Sequence, residues 1–176
     1  MKKYMPYVII FMCCVFLSLS SCGPKLTDIV VTDMPAVTIA GIAAENESAA
    51  AMGDYIVAIQ TYLEGNNINP DDTRFLTIYE DPQNMMKKWI IGAVVYTDVD
   101  ITDRVDVYAY PEIKTAAVTT MTGSYFQLKT AHTKLKKWID ENGYIMNGPI
   151  FEEYLTDPNV TPANENMIRI WVSVEK

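Results

Sequence analysis

Two stretches of the chain carry the same signals in the same order at the same spacing. A duplicated unit constrains a fold more than any single motif. Pro35 opens an alternating apolar run from Ala36 to Ala43, and Pro111 opens another from Ile113 to Met121. Helical apolar spacing follows each. Met52, Tyr55, Ile56, Ile59, Tyr62 and Leu63 carry it in the first stretch, and Leu128, Ala131, Leu135, Trp138 and Ile139 in the second. Recurrence at three and four marks one face of an amphipathic helix. Gly65-Asn66 and Asn142-Gly143 supply the stop signals. A short strand then ends at Tyr79-Glu80-Asp81-Pro82 in one unit and at Tyr154-Leu155-Thr156-Asp157-Pro158 in the other. Met85-Met86-Lys87-Lys88-Trp89 and Met167-Ile168-Arg169-Ile170-Trp171 each lead a final β-rich run. Pro35 lies 44 residues before Tyr79, and Pro111 lies 43 before Tyr154.

Each unit therefore reads β-α-β-β, over about residues 35–98 and 111–174, with 99–110 as the join. Short turns after the helices imply antiparallel pairing. The expected class is α+β: tandem β-α-β-β repeats with pseudo-two-fold symmetry, an antiparallel sheet, helices on one face and a ligand groove on the other.

Alternation divides the strand residues between faces. In the last strand Ile168, Ile170, Val172 and Val174 point one way, and Met167, Arg169, Trp171 and Ser173 the other. The aliphatic row is expected under the helices. Repeat symmetry then suggests that the opposite face gathers Tyr79, Tyr154, Trp89, Trp171, Glu152 and Arg169. Glu153 is expected among apolar positions, near a strand end where it reaches water. Aromatic walls with a few polar groups are the make-up of a small-molecule pocket. A dimer interface, or a satellite core under loops 99–110 and 156–166, fits the same pattern, and the pattern alone leaves these open.

Before the first unit stands an address. Met1-Lys2-Lys3 is a short basic start, and Val8 to Leu19 is an apolar run of 12 residues, too short for a membrane span of about 20. Leu19-Ser20-Ser21-Cys22 resembles the lipobox of bacterial lipoproteins. That resemblance implies cleavage before Cys22, which becomes the new N-terminus and carries the lipid, palmitate included. The expected organisation is a signal peptide at 1–21, a lipidated tether at 22–33 and a domain at 34–176. Pro24, where an aspartate could stand, leans towards the periplasmic side of the outer membrane in a Gram-negative host. Removing residues 1–21 leaves one cysteine, and 12 basic against 22 acidic side chains, a net charge of −10. An internal disulfide and a cysteine-rich zinc site are thereby excluded. The charge argues against nucleic acid as a partner.

Several short motifs occur together in order: Met34-Pro35-Ala36-Val37, Gly123-Ser124-Tyr125, Trp138-Ile139-Asp140-Glu141-Asn142-Gly143-Tyr144, Gly148-Pro149, and Glu152-Glu153-Tyr154-Leu155-Thr156-Asp157-Pro158. Together they resemble the GyrI-like domain, the effector-binding domain of AraC- and MerR-type regulators, over about residues 34–174. The resemblance implies two β-α-β-β repeats about a pseudo-two-fold axis, with ligand in the groove between them. It implies that Glu152, in a Glu-x-Tyr strand motif, sits in an aromatic pocket that selects lipophilic cations. In some relatives such a carboxylate steers water in hydrolysis. One departure bears on this: the last strand carries Arg169 where the family often has an acidic residue, and ends Ser173-Val174 rather than Pro-Val. An Arg169 on the face of Glu152 would neutralise it, opening the site to neutral or anionic ligands. The 12 residues at 22–33 are too few for a helix-turn-helix.

Weaker signals add little. His132, the only histidine, falls at the edge of the second helix's apolar stripe and reads as a packed or half-exposed surface residue. The fold's likeness to haem-binding SOUL proteins raises it as an axial ligand, a reading the residues do not favour. No serine lies in a nucleophile elbow. With one histidine and no free thiol, neither a metal nor another cofactor is expected. Three functions remain. The leading one is a membrane-anchored protein of the cell envelope that captures a small hydrophobic or cationic molecule, with Glu152, Tyr154, Tyr79, Trp89, Trp171 and Arg169 at the site and Cys22 lipidated. The second is a hydrolase of a reactive electrophile using Glu152. The third is a protein-interaction module. Binding is favoured over turnover, and the oligomeric state is left open.

Overall fold

In a computed structural model the described residues are 23–157 and 160–176. The signal-peptide and Cys22 expectations lie outside them. Nine strands and two helices occur among the described residues. In chain order they are β1 (Lys25–Leu26), β2 (Val30–Met34), β3 (Val37–Glu45), α1 (Met52–Gly65), β4 (Phe75–Tyr79), β5 (Lys88–Val94), β6 (Asp106–Tyr110), β7 (Ile113–Thr122), α2 (Leu128–Glu141), β8 (Ile145–Tyr154) and β9 (Met167–Glu175). Both helices stop where the sequence signals stand: Asn66 and Asn142 cap them, and Gly143 takes φ +72°. Among the described residues no helix is long and apolar enough to cross a membrane.

All pairings are antiparallel, in one sheet of order β1-β7-β9-β8-β4-β5-β3-β6, with β2 also on β7. The core of this order, β7-β9-β8 followed by β4-β5-β3, is symmetric about the β8–β4 boundary, as two copies of one unit require. Thr77 stands directly opposite Glu152, and Phe75 and Tyr79 stand opposite Tyr154 and Ile150. The pseudo-two-fold axis therefore passes between Thr77 and Glu152.

Two segments expected to be connections are strands. The described part of the expected tether forms β1 and β2, and the join contains β6. The reason is an edge problem: β3 and β7 would otherwise each present an unpaired row of N–H and C=O groups. β6, which leads the second unit, covers the edge of β3 in the first, and β2, which leads the first, covers β7 in the second. The leading strands are exchanged.

The exchange forces the sheet to curl. Only residues 111–112 separate β6 from β7, so Tyr110 and Ile113 are at most about 11 Å apart. In a flat sheet six strand spacings, roughly 29 Å, would lie between them. The curl encloses a second, smaller core of Ile39, Leu76, Ile78, Ile90, Val94 and Phe151, with Tyr110 edge-on to Phe151 at 5.3 Å. Gly41 and Gly92 face each other across β3 and β5, and a Cβ on either would come within 2.7 or 2.8 Å of a carbonyl oxygen of the opposite strand.

The other face carries the main core. Ala131, Leu135 and Ile139 of α2 share it with Ile168, Ile170, Val172 and Val174 of β9, and Ile59 and Leu63 of α1, which lies over β3 and β5, continue it. The aliphatic row of β9 lies under the helices as alternation predicts. At roughly 25 cal/mol per Å² of apolar surface, burying each of these leucine, isoleucine and valine side chains contributes about 1.5–3 kcal/mol.

Candidate functional site

Register, more than alternation, decides which residues meet. β8 pairs β9 with Glu152 opposite Ile170 and Tyr154 opposite Ile168. Residues directly opposite share a face, so Glu152 and Tyr154 point to the helix side. Phe151 and Glu153 lie opposite Trp171 and Arg169 and point away. The expected grouping of Trp171 and Arg169 with Glu152 is thereby corrected. Its cause is a slip in matching the repeats: Trp89 faces Tyr79, so its counterpart in the second unit is Ile168, three residues before Trp171. An odd slip moves a side chain to the opposite face. The groove's side is corrected with it, since the recess that holds Glu152 opens beside the helices.

Tyr79, Tyr154 and Glu152 do come together. Glu152 is 1% exposed. Its Oε2 accepts from the Tyr79 hydroxyl at 3.1 Å and the Tyr154 hydroxyl at 3.3 Å. Thr77 Oγ1 lies 2.9 Å from the Tyr154 hydroxyl, extending the chain of polar groups across the axis. Oε1 lies 2.5 Å from His132 Nε2, which α2 lowers onto the sheet. The imidazole also stands edge-on to the Tyr79 ring, at 6.5 Å between centroids. Trp89 shares this face but is wholly buried under α1 against Tyr55 and does not line the groove.

His132, expected only as a packed or half-exposed residue, is the site member that the sequence does not single out. Its position at the edge of the apolar stripe was legible, and its Glu152 partner on a distant strand was not. Among the described residues no group of three or more His, Cys, Asp or Glu side chains is arranged to hold a metal.

Around Glu152 lies a groove of about 810 Å³ between α2 and the 82–86 turn. Met85, Met86, Leu128, Leu135, Ile150 and Val172 make its apolar wall. Glu152 and Tyr79 form the polar end of the floor, and Lys129 and Lys136 stand on the rim. Apolar walls around a few convergent polar groups are what a small-molecule site presents.

The adjacent carboxylate is built differently. Glu153, 4% exposed, pairs with Arg74 through Oε1 and with Arg169 Nη1 at 3.1 Å through Oε2. Trp171 Nε1 approaches the same oxygen at 3.5 Å, and the Arg169 guanidinium lies 5.9 Å over the Trp171 ring. Expected near water at a strand end, Glu153 is instead held inside by two arginines whose outer parts reach solvent.

Burial, then the charge of Glu152, pushes the hydroxyls of Tyr79 and Tyr154 well above the ordinary tyrosine range, and burial with Glu80 pushes Tyr110 up to about 12. A raised value means the folded state keeps a proton that the unfolded chain gives up near pH 10. Stability is thus fully present below that pH and falls as pH rises above it. In a titration followed at 295 nm, the exposed tyrosines among the 11 are expected to ionise first, and these three only as the far-UV circular dichroism collapses. All 11 ionising while the dichroism stays native would contradict the assignment.

The sequence profile of the GyrI-like small molecule binding domain matches residues 27–175. No curated protein matches the chain. Among solved structures, the C-terminal domain of EcmrR superposes with a TM-score of 0.70 and 19% identity, over 85% of this chain and 98% of that one. The EcmrR chain in its complex with DNA gives 0.70 and 20% over 85% of this chain, which spans 57% of the EcmrR chain's length. SAV2435, seen bound to tetraphenylphosphonium, gives 0.57 and 15% over 85% and 94% of the two chains. A hydrolase from Listeria innocua gives 0.54 and 11% over 87% and 93%. At these identities the likenesses establish the fold.

Proposed function

The chain belongs to the GyrI-like small molecule binding domain family, and from that premise we propose that it is a lipid-anchored capture protein of the cell envelope. It takes a hydrophobic or amphipathic molecule with a cationic or hydrogen-bond-donating group into the groove beside α2. Cys22 carries the lipid, and the outer membrane's periplasmic side is the location in a Gram-negative host. One observation carries the ligand reading: Glu152 lies buried at the floor of an apolar groove, and its partners are a histidine and two tyrosine hydroxyls, with no ion pair to arginine or lysine among the described residues. Arg169, the residue that would have neutralised it, is engaged by Glu153.

A buried carboxylate costs several kcal/mol unless its lone pairs are met. Tyr79, Tyr154 and His132 meet them, so an entering cation competes with His132 for Oε1. Tetraphenylphosphonium, the ligand of SAV2435, is a suitable probe. Calorimetric titration is expected to give one site per chain. His132→Ala is expected to tighten binding by up to about tenfold, roughly 1.4 kcal/mol, by freeing that oxygen. Weaker binding in His132→Ala would make His132 a contact of the ligand rather than its competitor, and no binding of any lipophilic cation would remove the ligand reading.

The second reading, hydrolysis of an electrophilic small molecule, is favoured by the imidazole–carboxylate pair itself. Such a pair can take a proton from water held within hydrogen-bond reach. Turnover of an electrophilic ester or strained ring, lost in Glu152→Gln, would distinguish it from capture.

A further inference from the structure

We propose that the 3-10 turn Tyr125–Gln127, with Phe126 at its tip, is a lipid-docking surface that seats the domain against the bilayer beside Cys22. This rests on the reading of Cys22 as the lipidated residue.

Phe126 is 98% exposed, although a lone phenylalanine ring in water gives up the stabilisation that burial would contribute. It is held there by a capping box. Ser124 Oγ accepts from the Phe126 N–H at 3.4 Å, and the Ser124 N–H donates to Gln127 Oε1 at 3.2 Å. Gly123, at φ +149°, turns the chain out of β7 into this tip, and its N–H is fixed to the Asn166 carbonyl at 2.9 Å. A side chain presented so firmly to water is placed for something other than the core.

The start of the described chain identifies the occupant. Pro24 is buried against Gly123, where an added Cβ would lie 3.7 Å from its Cα. Lys25 pairs with Thr122. One residue lies between Pro24 and Cys22, a span of about 7 Å at most, and two lie between Gly123 and Phe126, about 11 Å at most. A domain of this size is about 40 Å across, so a lipid on Cys22 brings this end, and no other, to the membrane. The chemistry of the end fits. Lys25, opposite Thr122 at the end of β7, and Lys129, three residues after Phe126, are both exposed, two basic side chains flanking the turn on a chain whose net charge without residues 1–21 is −10. Aromatic rings settle at the headgroup level, and lysines are drawn to anionic lipid. Leu128 and Lys129, which follow the tip, begin the groove's lining, so the groove begins beside the same surface.

The test uses the full chain, purified from membranes in detergent and reconstituted into vesicles of phosphatidylethanolamine with a minority of phosphatidylglycerol. Phe126 is 98% exposed, so Phe126→Trp is expected to leave folding intact. Its added emission is expected to be quenched at least about twofold more than the parent's three tryptophans by lipids brominated near the headgroup. Protein that floats with the vesicles but shows no added quenching overturns the docking surface and leaves the lipidated Cys22 standing. Protein that does not float, in parent and variant alike, overturns both. An emission shift that depends on protein concentration and not on lipid assigns Phe126 to a second copy of the chain and overturns the proposal.

Discussion

Glu152→Gln is expected to weaken binding of a lipophilic cation by roughly 100-fold, about 2.7 kcal/mol, while the folded protein stays at least as stable as the parent. The two halves of the expectation have one cause. A unit charge pair at about 4 Å contributes about 4 kcal/mol at an effective dielectric constant near 20, and desolvation offsets part of it. Glutamine keeps the volume and an acceptor for Tyr79 and Tyr154 but removes the charge the ligand would meet. It also removes the cost of holding a charge at 1% exposure, so the melting temperature should not fall. Calorimetry and thermal unfolding of the same preparation read both halves. Affinity that survives the substitution would remove Glu152 as the anchor, whatever the fate of the fold.

Glu153→Gln should do the reverse. One residue further along β8, the same loss of charge leaves Arg74 and Arg169 without their shared partner. Breaking a buried pair from one side typically costs about 3–5 kcal/mol. Here the arginine side chains are 48% and 37% exposed and can turn to water, so the expected loss is about 2–3 kcal/mol, a fall in melting temperature of roughly 5–10 °C for a chain of this length. Cation affinity measured well below that melting temperature should be unchanged, because the pair lies on the opposite face of the sheet. A drop in affinity equal to that of Glu152→Gln would mean that the two faces are coupled through the strand.

The contrast also marks where sequence reasoning stops. Local signals are sufficient for the elements: alternation at 113–121, helical spacing at 128–139 and the stop at Asn142-Gly143 each depend on neighbours in the chain, and the structure follows them. The repeat goes further and leads to the symmetric sheet order. Pairing register depends on which residues of two strands meet, and for β8 and β9 an irregularity between Met146 and Ile150 enters it. Alternation within β9 cannot reveal that Ile170 faces Glu152, so Arg169 and Trp171 went to the wrong face. His132 illustrates the same limit between a helix and a strand. The edge strands escaped for another reason. Val30-Val31-Thr32 and Asp106-Val107-Tyr108 are too short to declare themselves, and they form because β7 and β3 need partners.

Exchange of those leading strands has a consequence for how the chain folds. Neither half contains all of its own sheet: the first lends β2 and borrows β6, and the second does the opposite. A cut within 97–104, between the halves, would therefore yield two fragments each lacking an edge, and their leading strands would still have to cross to complete one another. Duplication here has produced an interlocked pair rather than two autonomous modules, so the halves should melt in a single cooperative transition and regain structure as fragments only when mixed.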